Sequence, residues 1–431
     1  MSGERFIPFR KSDVVTMCAD EVSDEEREPF LAVVELLESL LHHEFRGRLE
    51  ALKDAYYPFN PDVDVRSVRE PSAAERDAAQ ERLVEELTAL AEAANFDRIS
   101  PDDLDRAFVE ESLVKVRLEA DFDDFEHVVF YRRGVHTREE QVKRWFGLRR
   151  KDVTFTNYGK VLVYVKFKDA AHFEALGKKK KKKKKKKADD LPFAPGSMII
   201  KLFQDVPRAD LEMLFPNARV RMRTIDKLLI GVPAVVSGII MVVTKLVAAL
   251  LPVLLLLAFW FGLRREPVEL SQGQLVTLGA GLAALGGFLV RQFGKFKNRK
   301  IQFMKSLSDN LYFRNLDNDA GVFNHLLDAA EEEEVKEAVL AYHFLRTAEG
   351  ALTADELDRR IEDWFAQRWE AEFDFEVADG VRKLRRLRLI DDTGGKLSAV
   401  ALDEAARRLD ETWDDLFVYN TRGATATHAR T

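Results

Sequence analysis

The sequence predicts an α+β membrane protein: N-terminal helices plus an antiparallel sheet, a two-span transmembrane helical hairpin, and a C-terminal winged-helix-like domain. Three observations predict it. Apolar residues are concentrated in two long runs, Leu228–Leu263 and Gly273–Val290, in which Lys245 is the only charge. Ahead of those runs, helical periodicity gives way to short β-branched and aromatic stretches of strand length. Behind them, three helical patterns are followed by a hairpin signal at Gly394-Gly395.

The N-terminal region, 1–218, opens with an amphipathic helix over Pro29–Tyr57, its stripe formed by Leu37, Leu41, Phe45, Leu49, Leu52 and Tyr56. Ser72 and Glu75 form a capping box that starts a second helix, and Ser100-Pro101 starts a short third one. The segments "VKVRLEADF", "HVVFYRRG", "KVLVYVKF" and "SMIIKLF" follow as four expected strands. "VKRWFGLRRK" is expected to be a short basic helix between two of them. The acidic "DFDDF", with Asp121, Asp123 and Asp124, is expected to be a turn. It is also the one carboxylate group that could serve an uncharacterised enzyme.

Ten consecutive lysines, Lys178–Lys187, stand in a chain whose net charge is −7. A lysine homopolymer repels itself and has nothing to bury, so a loop is expected there. Lys178, Lys182 and Lys187, with Arg219, Arg221 and Arg223 at the approach to the apolar runs, are candidate contacts for anionic lipid. The same run also fits a permissive loop with no specific role.

The membrane region is expected over 219–300, with spans at about 242–261 and 273–290, each close to the ~20 residues a bilayer needs. Basic flanks at Arg219–Lys227 and Arg291–Lys300, against a nearly neutral connector, predict both termini on the cytoplasmic side, and the lack of a mitochondrial presequence makes a bacterial inner membrane the expected location. Gly279, Ala283 and Gly287 lie on one face of the second span, where small residues allow close helix packing. The first span or a second copy of the chain would be the partner.

The C-terminal region, 301–418, carries a helix over Val335–Leu345 and another capped by Thr353 and Glu356. A third covers Val377–Leu387; the hairpin and a closing helix over Leu402–Phe417 follow, then a disordered tail, 419–431. "EEEE", Glu331–Glu334, is expected to open a helix, and "NLDNDAG" to be a turn; the latter lacks the glycine and glutamate of a calcium loop. Arg382, Arg385 and Arg386 on the third helix are candidate nucleic-acid contacts, although nearby acids and the lack of Asn or Gln make nucleic acid a poor partner.

The one cysteine, Cys18, excludes an intramolecular disulfide, and the opening residues carry no secretory h-region. No phosphate loop, dinucleotide motif or zinc motif occurs, so no catalytic, cofactor or metal residue is assigned.

The segments "RFIPF", "YYPFNPD", "FDDFEHVVFYRRG", "VKFKD", "KLFQDVPRADLEMLFP", "SDNLYFRNLDNDAGVF" and "EEEEVKEAVLAYHFL", spread over Arg5–Ile390, resemble the domain-of-unknown-function 3754 family. That family includes the animal transmembrane protein 143. The resemblance implies two spans with soluble parts before and after them, and supplies no catalytic residue. The expected function is a membrane-anchored interaction or scaffold protein, with a lipid bilayer of anionic inner leaflet, an unidentified protein and a second copy of the chain as the expected partners. A membrane-tethered nucleic-acid binder is the alternative.

Overall fold

The computed structural model describes residues 4–61, 66–109, 117–119, 122–144, 149–179, 193–217, 219–221, 236, 254, 257–263 and 271–417. They fall into two compact units. The first takes in the described residues of Met1–Ala107, Phe122–Arg208 and Arg314–Thr431; the second takes in those of Phe108–Asp121 and Ala209–Phe313.

The first unit begins with an extended segment, Glu4–Arg10, and helices α1 (Lys11–Ala19) and α2 (Asp24–Tyr56). Helix α2 buries Phe30, Val33, Val34, Leu37, Leu40, Leu41, Phe45, Leu52, Ala55 and Tyr56, the three-and-four spacing of a single face. Helix α3 (Ala73–Ala93) starts at the expected capping box: Ser72 Oγ accepts from Glu75 N (3.4 Å) and Ser72 N donates to the Glu75 carboxylate (2.8 Å). Helix α4 (Pro101–Val109) is capped by Ser100.

A five-stranded antiparallel sheet, ordered β1-β3-β4-β5-β7, follows from strands β1 (Asp97–Arg98), β3 (Phe125–Arg144), β4 (Arg149–Phe167), β5 (Met198–Pro207) and β7 (Asn315–Asn318). Central strand β4 pairs Val163 with Phe130 on one side and with Lys201 on the other. Leu162 and Tyr164 of β4 share a face with Met198, Ile200 and Leu202 of β5, and this face packs into a core with α2 and α3. The period-two alternation puts Val161, Val163, Val165 and Phe167 on the opposite face, where they are also buried. Phe167 there stacks on Phe193 at 3.8 Å.

Helix α5 (Ala170–Lys179) leaves the sheet after β4. After β7 come α7 (Ala320–Arg346), α8 (Ala354–Trp369), α9 (Val377–Arg386), the hairpin β8 (Ile390–Thr393) with β9 (Lys396–Ala399), and α10 (Leu402–Asp414). Thr353 and Glu356 make the second expected capping box. In the other unit, β2 (Arg117–Glu119) pairs with β6 (Arg219–Arg221), and α6 spans Gln272–Arg314.

Two apolar cores run through the first unit. One joins the sheet to the second half of α2, to α3 and to Val322–Ala330 of α7. The other joins Ile7, α1 and the first half of α2 to Val335–Leu345 of α7 and to residues from Leu357 to Leu409. Both α2 and α7 therefore pass from one core into the other, and the N- and C-terminal segments fold as one body. Within the winged-helix-like region expected over 301–418, residues from Arg314 on belong to this same unit. The order of helices and hairpin is present, but the apolar surface of α7 is closed by residues from before the sheet.

The expected two-span hairpin is corrected. Among the described residues, one helix is long and apolar enough to cross a membrane, Leu275–Lys295 within α6. The expected second span does not end near Val290: α6 continues unbroken to Arg314. The expected first span lies mostly outside the described residues. Its described end, 257–263, is a helical turn closed at Gly262, whose φ of +70° suits glycine, with Trp260 and Phe261 exposed.

Smaller expectations change for local reasons. "VKRWFGLRRK" is not a helix where described: β3 runs through Arg144 and β4 begins at Arg149, because the hairpin pairing continues past the apolar residues. Leu118 pairs with Val220 rather than joining the main sheet. Asn315–Asn318 is an edge strand, since its backbone pairs with β5. Glu331–Glu334 lies inside α7, which starts eleven residues earlier at Ala320.

Candidate functional site: a buried charge network on α7

Helix α7 crosses from one core to the other at Glu333, Lys336 and Glu337. All three are buried, at 0%, 2% and 2% exposure. Charged groups are seldom this enclosed unless paired and hydrogen-bonded. Here every one has partners on other segments.

The Glu333 carboxylate accepts from Ile7 N (3.1 Å), Arg133 Nη2 (2.9 Å) and Lys336 Nζ (2.9 Å). Lys336 donates onward to Ile7 O (2.9 Å) and Phe9 O (3.1 Å). Its three ammonium hydrogens are thus all used, and it has no free lone pair or proton to offer a substrate. Arg133, on β3, also donates to Ala94 O and lies over the Phe6 ring at 4.9 Å. Burial pulls its guanidinium below the ordinary value, against the pull of Glu333 and Glu332.

Glu337, one turn on from Glu333, accepts from Lys383 Nζ of α9 at 2.6 Å and from Asn95 Nδ2 at 3.3 Å. Asn95 Nδ2 also donates to Arg5 O (3.1 Å). Lys383 reaches Glu337 because Gly380 lets α9 approach α7. A Cβ at Gly380 would stand 3.0 Å from Glu337 O and 3.2 Å from Ala341 Cβ. Burial pushes the Glu337 carboxyl up to about 7, with Lys383 opposing.

The network's other end is the segment "RFIPF". Arg5 donates to Glu376 (2.7 Å), Asp97 (3.1 Å) and Phe96 O (3.3 Å). Glu4 accepts from Gly134 N and Val135 N, and its carbonyl accepts from Asp374 N. Residues 4–9 are thereby tied to the sheet, α7 and the α8–α9 connection. A second tie joins Tyr56 OH to Asp319 Oδ1 (2.6 Å) and Met198 O (3.1 Å), bringing "YYPFNPD" to the start of α7. Five of the quoted motifs therefore meet in one body.

Two surface grooves lie on the same unit. One, of ≈ 660 Å³, runs between Val84 and Thr88 of α3 and Val129 of β3. The other, of ≈ 550 Å³, lies along α8. At its edge Glu21 accepts from Trp364 Nε1 (2.8 Å) and Arg368 (2.6 Å).

The residues singled out from sequence are dispersed. Lys178 falls at the end of α5, so the lysine run begins in a helix rather than a loop, while Lys182 and Lys187 lie outside the described residues. Arg219 and Arg221 are on β6, opposite Glu119 and Arg117; Arg223 lies outside the described residues. Gly279, Ala283 and Gly287 are exposed on α6, with no atom within 4 Å of a Cβ at either glycine. The expected helix–helix packing has no partner there among the described residues. Arg382, Arg385 and Arg386 are each paired with an acid: Asp379 (2.8 Å), Asp392 (2.6 Å) and Glu44 (2.9 Å). Asp121 lies outside the described residues; Asp123 is exposed and Asp124 buried, in a short turn before β3. Among the described residues no group of three or more His, Cys, Asp or Glu is placed to hold a metal.

The charge network itself escaped sequence reasoning, though one signal was present. Leu326, Ala330, Glu333, Glu337, Leu340 and Phe344 follow the alternating four-and-three spacing of a single helical face. Glu333 and Glu337 thus continue an apolar stripe, which marks them as buried.

No solved structure matches the chain. The model of a protein family described as "Protein of unknown function (DUF3754)" matches residues 158–321, from β4 through α6 to the first turn of α7. Over residues 158–321 the chain is similar to that family.

Proposed function

We propose that this is a membrane-anchored interaction protein: α6 enters a lipid bilayer, and the unit built around α7 presents a rigid surface to a protein partner. The observation that carries the reading is the state of Leu275–Lys295. Only 7% of this apolar stretch is buried, and Leu275, Val276, Leu289, Val290 and Phe293 are all more than half exposed. An apolar surface of this length, on a helix of 43 residues, calls for a nonaqueous cover. The locked first unit supports the interaction role: its enclosed charges are consumed in holding segments together, and its two grooves are open at the surface.

The nucleic-acid alternative is disfavoured by the acid partner on each of Arg382, Arg385 and Arg386. Phosphate contact would first have to break those pairs.

Expression of the full chain followed by alkaline carbonate extraction tests the anchor. The chain is expected to stay with the membrane pellet. Ala284→Arg with Leu289→Arg, costing about 2–3 kcal/mol each near a bilayer centre, is expected to shift it to the supernatant or to aggregates. Extraction of the unmodified chain by carbonate would refute the anchor.

A further inference from the structure

Beyond its apolar half, α6 continues as an amphipathic helix of a different kind. From Gln272 to Ser308 there is no acidic residue; the first is Asp309. Within that acid-free stretch stand Arg291, Lys295, Lys297, Arg299, Lys300 and Lys305. At about 100° per residue, Arg291, Lys295, Arg299 and Lys305 fall on one side, with Asn298 and Gln302 between them. Phe293, Phe296, Phe303, Met304 and Leu307 fall on the other, with Lys300 among them and Lys297 at its edge. The helix is continuous through both halves. Arg291, Lys295, Lys297 and Lys305 are exposed, as are Phe293 (69%), Ile301 (52%) and Met304 (53%).

We infer that the 291–307 portion of α6 is a docking surface for anionic phospholipid headgroups. This rests on the membrane-anchor reading above and extends it to the lipid class. Three features argue for lipid. The charge is of one sign over about 21 Å of helix, which suits a surface bearing many phosphates. Four of the six cations lie opposite the apolar side, and the long side chains of Lys297 and Lys300 can reach the surface from beside it, the arrangement by which interfacial helices bury one side while their cations meet headgroups. The stripe also follows directly on the stretch that would occupy hydrocarbon, so Arg291 and Lys295 arrive at headgroup depth and the remaining cations stay within about a Debye length of the surface. Nucleic acid would satisfy the charge but not the exposed Phe293, Ile301 and Met304.

The test uses the full chain with a donor dye on Ser308→Cys; the native Cys18 is buried and does not compete for label. The chain is reconstituted into phosphatidylcholine vesicles and into mixed phosphatidylcholine–phosphatidylglycerol vesicles. Energy transfer is read to trace acceptor-labelled phosphatidylglycerol, and separately to acceptor-labelled phosphatidylcholine. Transfer to the anionic acceptor is expected to exceed that to the zwitterionic one by roughly threefold or more at low salt, converging at about 1 M salt. Arg291→Gln, Lys295→Gln, Lys297→Gln and Lys305→Gln together are expected to abolish the preference while leaving the chain in the vesicles. Equal transfer to both acceptors at low salt, with the chain incorporated, would overturn the headgroup site and leave the anchor standing. Failure to associate with either vesicle would remove both. A preference erased by duplex DNA at matched phosphate concentration would assign the cations to nucleic acid instead.

Discussion

Lys336 Nζ lies 2.9 Å from Glu333 Oε1, one turn away on α7, and both side chains are shut inside the protein. The pair holds the backbone of a third segment: Ile7 gives its N–H to Glu333 and its carbonyl to Lys336. Removing Lys336 takes the donor from the Ile7 and Phe9 carbonyls and leaves the enclosed Glu333 carboxylate with Arg133 as its one remaining cation in this network. Lys336→Ala is expected to cost about 3–5 kcal/mol in chemical denaturation. The double variant Glu333→Gln, Lys336→Met also takes the carboxylate from Arg133 and is expected to cost at least as much as the single one.

Glu337 gives the fold a pH signature. Its carboxyl, ordinarily near 4.5, is pushed up to about 7 by burial. Between those values the folded chain binds this proton more tightly than the unfolded chain does. Stability from this group is therefore greatest below pH 4.5 and falls as pH rises through 7. The groups around it are Lys383 and Asn95, with Glu333 on its own helix and Glu334 4.0 Å from Lys383. Glu337→Gln with Lys383→Met takes the pair out of the titration. Measured from pH 5 to 8, wild type is expected to lose about 1–3 kcal/mol relative to that variant. Parallel profiles would contradict the assignment.

Gly380 is where α9 and α7 touch. Gly380→Ala gains up to about 1 kcal/mol of helix propensity but drives a methyl to 3.0 Å from Glu337 O. A net loss of about 1–3 kcal/mol is expected from the forced separation. Ala341→Gly on the same background should not restore it, because the backbone carbonyl remains in the way.

Tyr56 joins α2 to the start of α7 through one hydroxyl with two acceptors. Tyr56→Phe keeps the ring against Phe323 and removes the hydroxyl's contacts with Asp319 Oδ1 and Met198 O. A loss of about 1–3 kcal/mol in thermal or denaturant unfolding is expected, with no change in secondary structure.

Local signals were the legible part of this sequence. The capping boxes at Ser72–Glu75 and Thr353–Glu356 are where the residues put them, since both partners lie within one turn. The alternation in β4 and β5 and the Gly394-Gly395 hairpin were legible for the same reason. Long-range closure was not. That Ile7 and Glu333 meet, 326 residues apart, depends on α2 and α7 crossing both cores, which no local period encodes. The same limit applies to the C-terminal region. The apolar face of α7 asks for a cover, and nothing in residues 331–417 reveals that α1 and α2 supply it. The hairpin of spans failed differently: charge flanks carry topology only once the spans are known, and α6 runs 24 residues past Val290 without a break.

The central claim is that buried charges lock residues 4–9 onto α7, so that the N- and C-terminal segments unfold together. Native-state hydrogen exchange at the Ile7 amide, which donates to Glu333, reads this directly. The account predicts that Ile7 exchanges only through global opening, with protection equal to that of core amides such as Val339 and Leu340 in α7. In the Glu333→Gln, Lys336→Met variant its protection should fall well below theirs. Ile7 exchanging at the rate of an open chain in the wild-type protein, while Val339 and Leu340 stay protected, would contradict it.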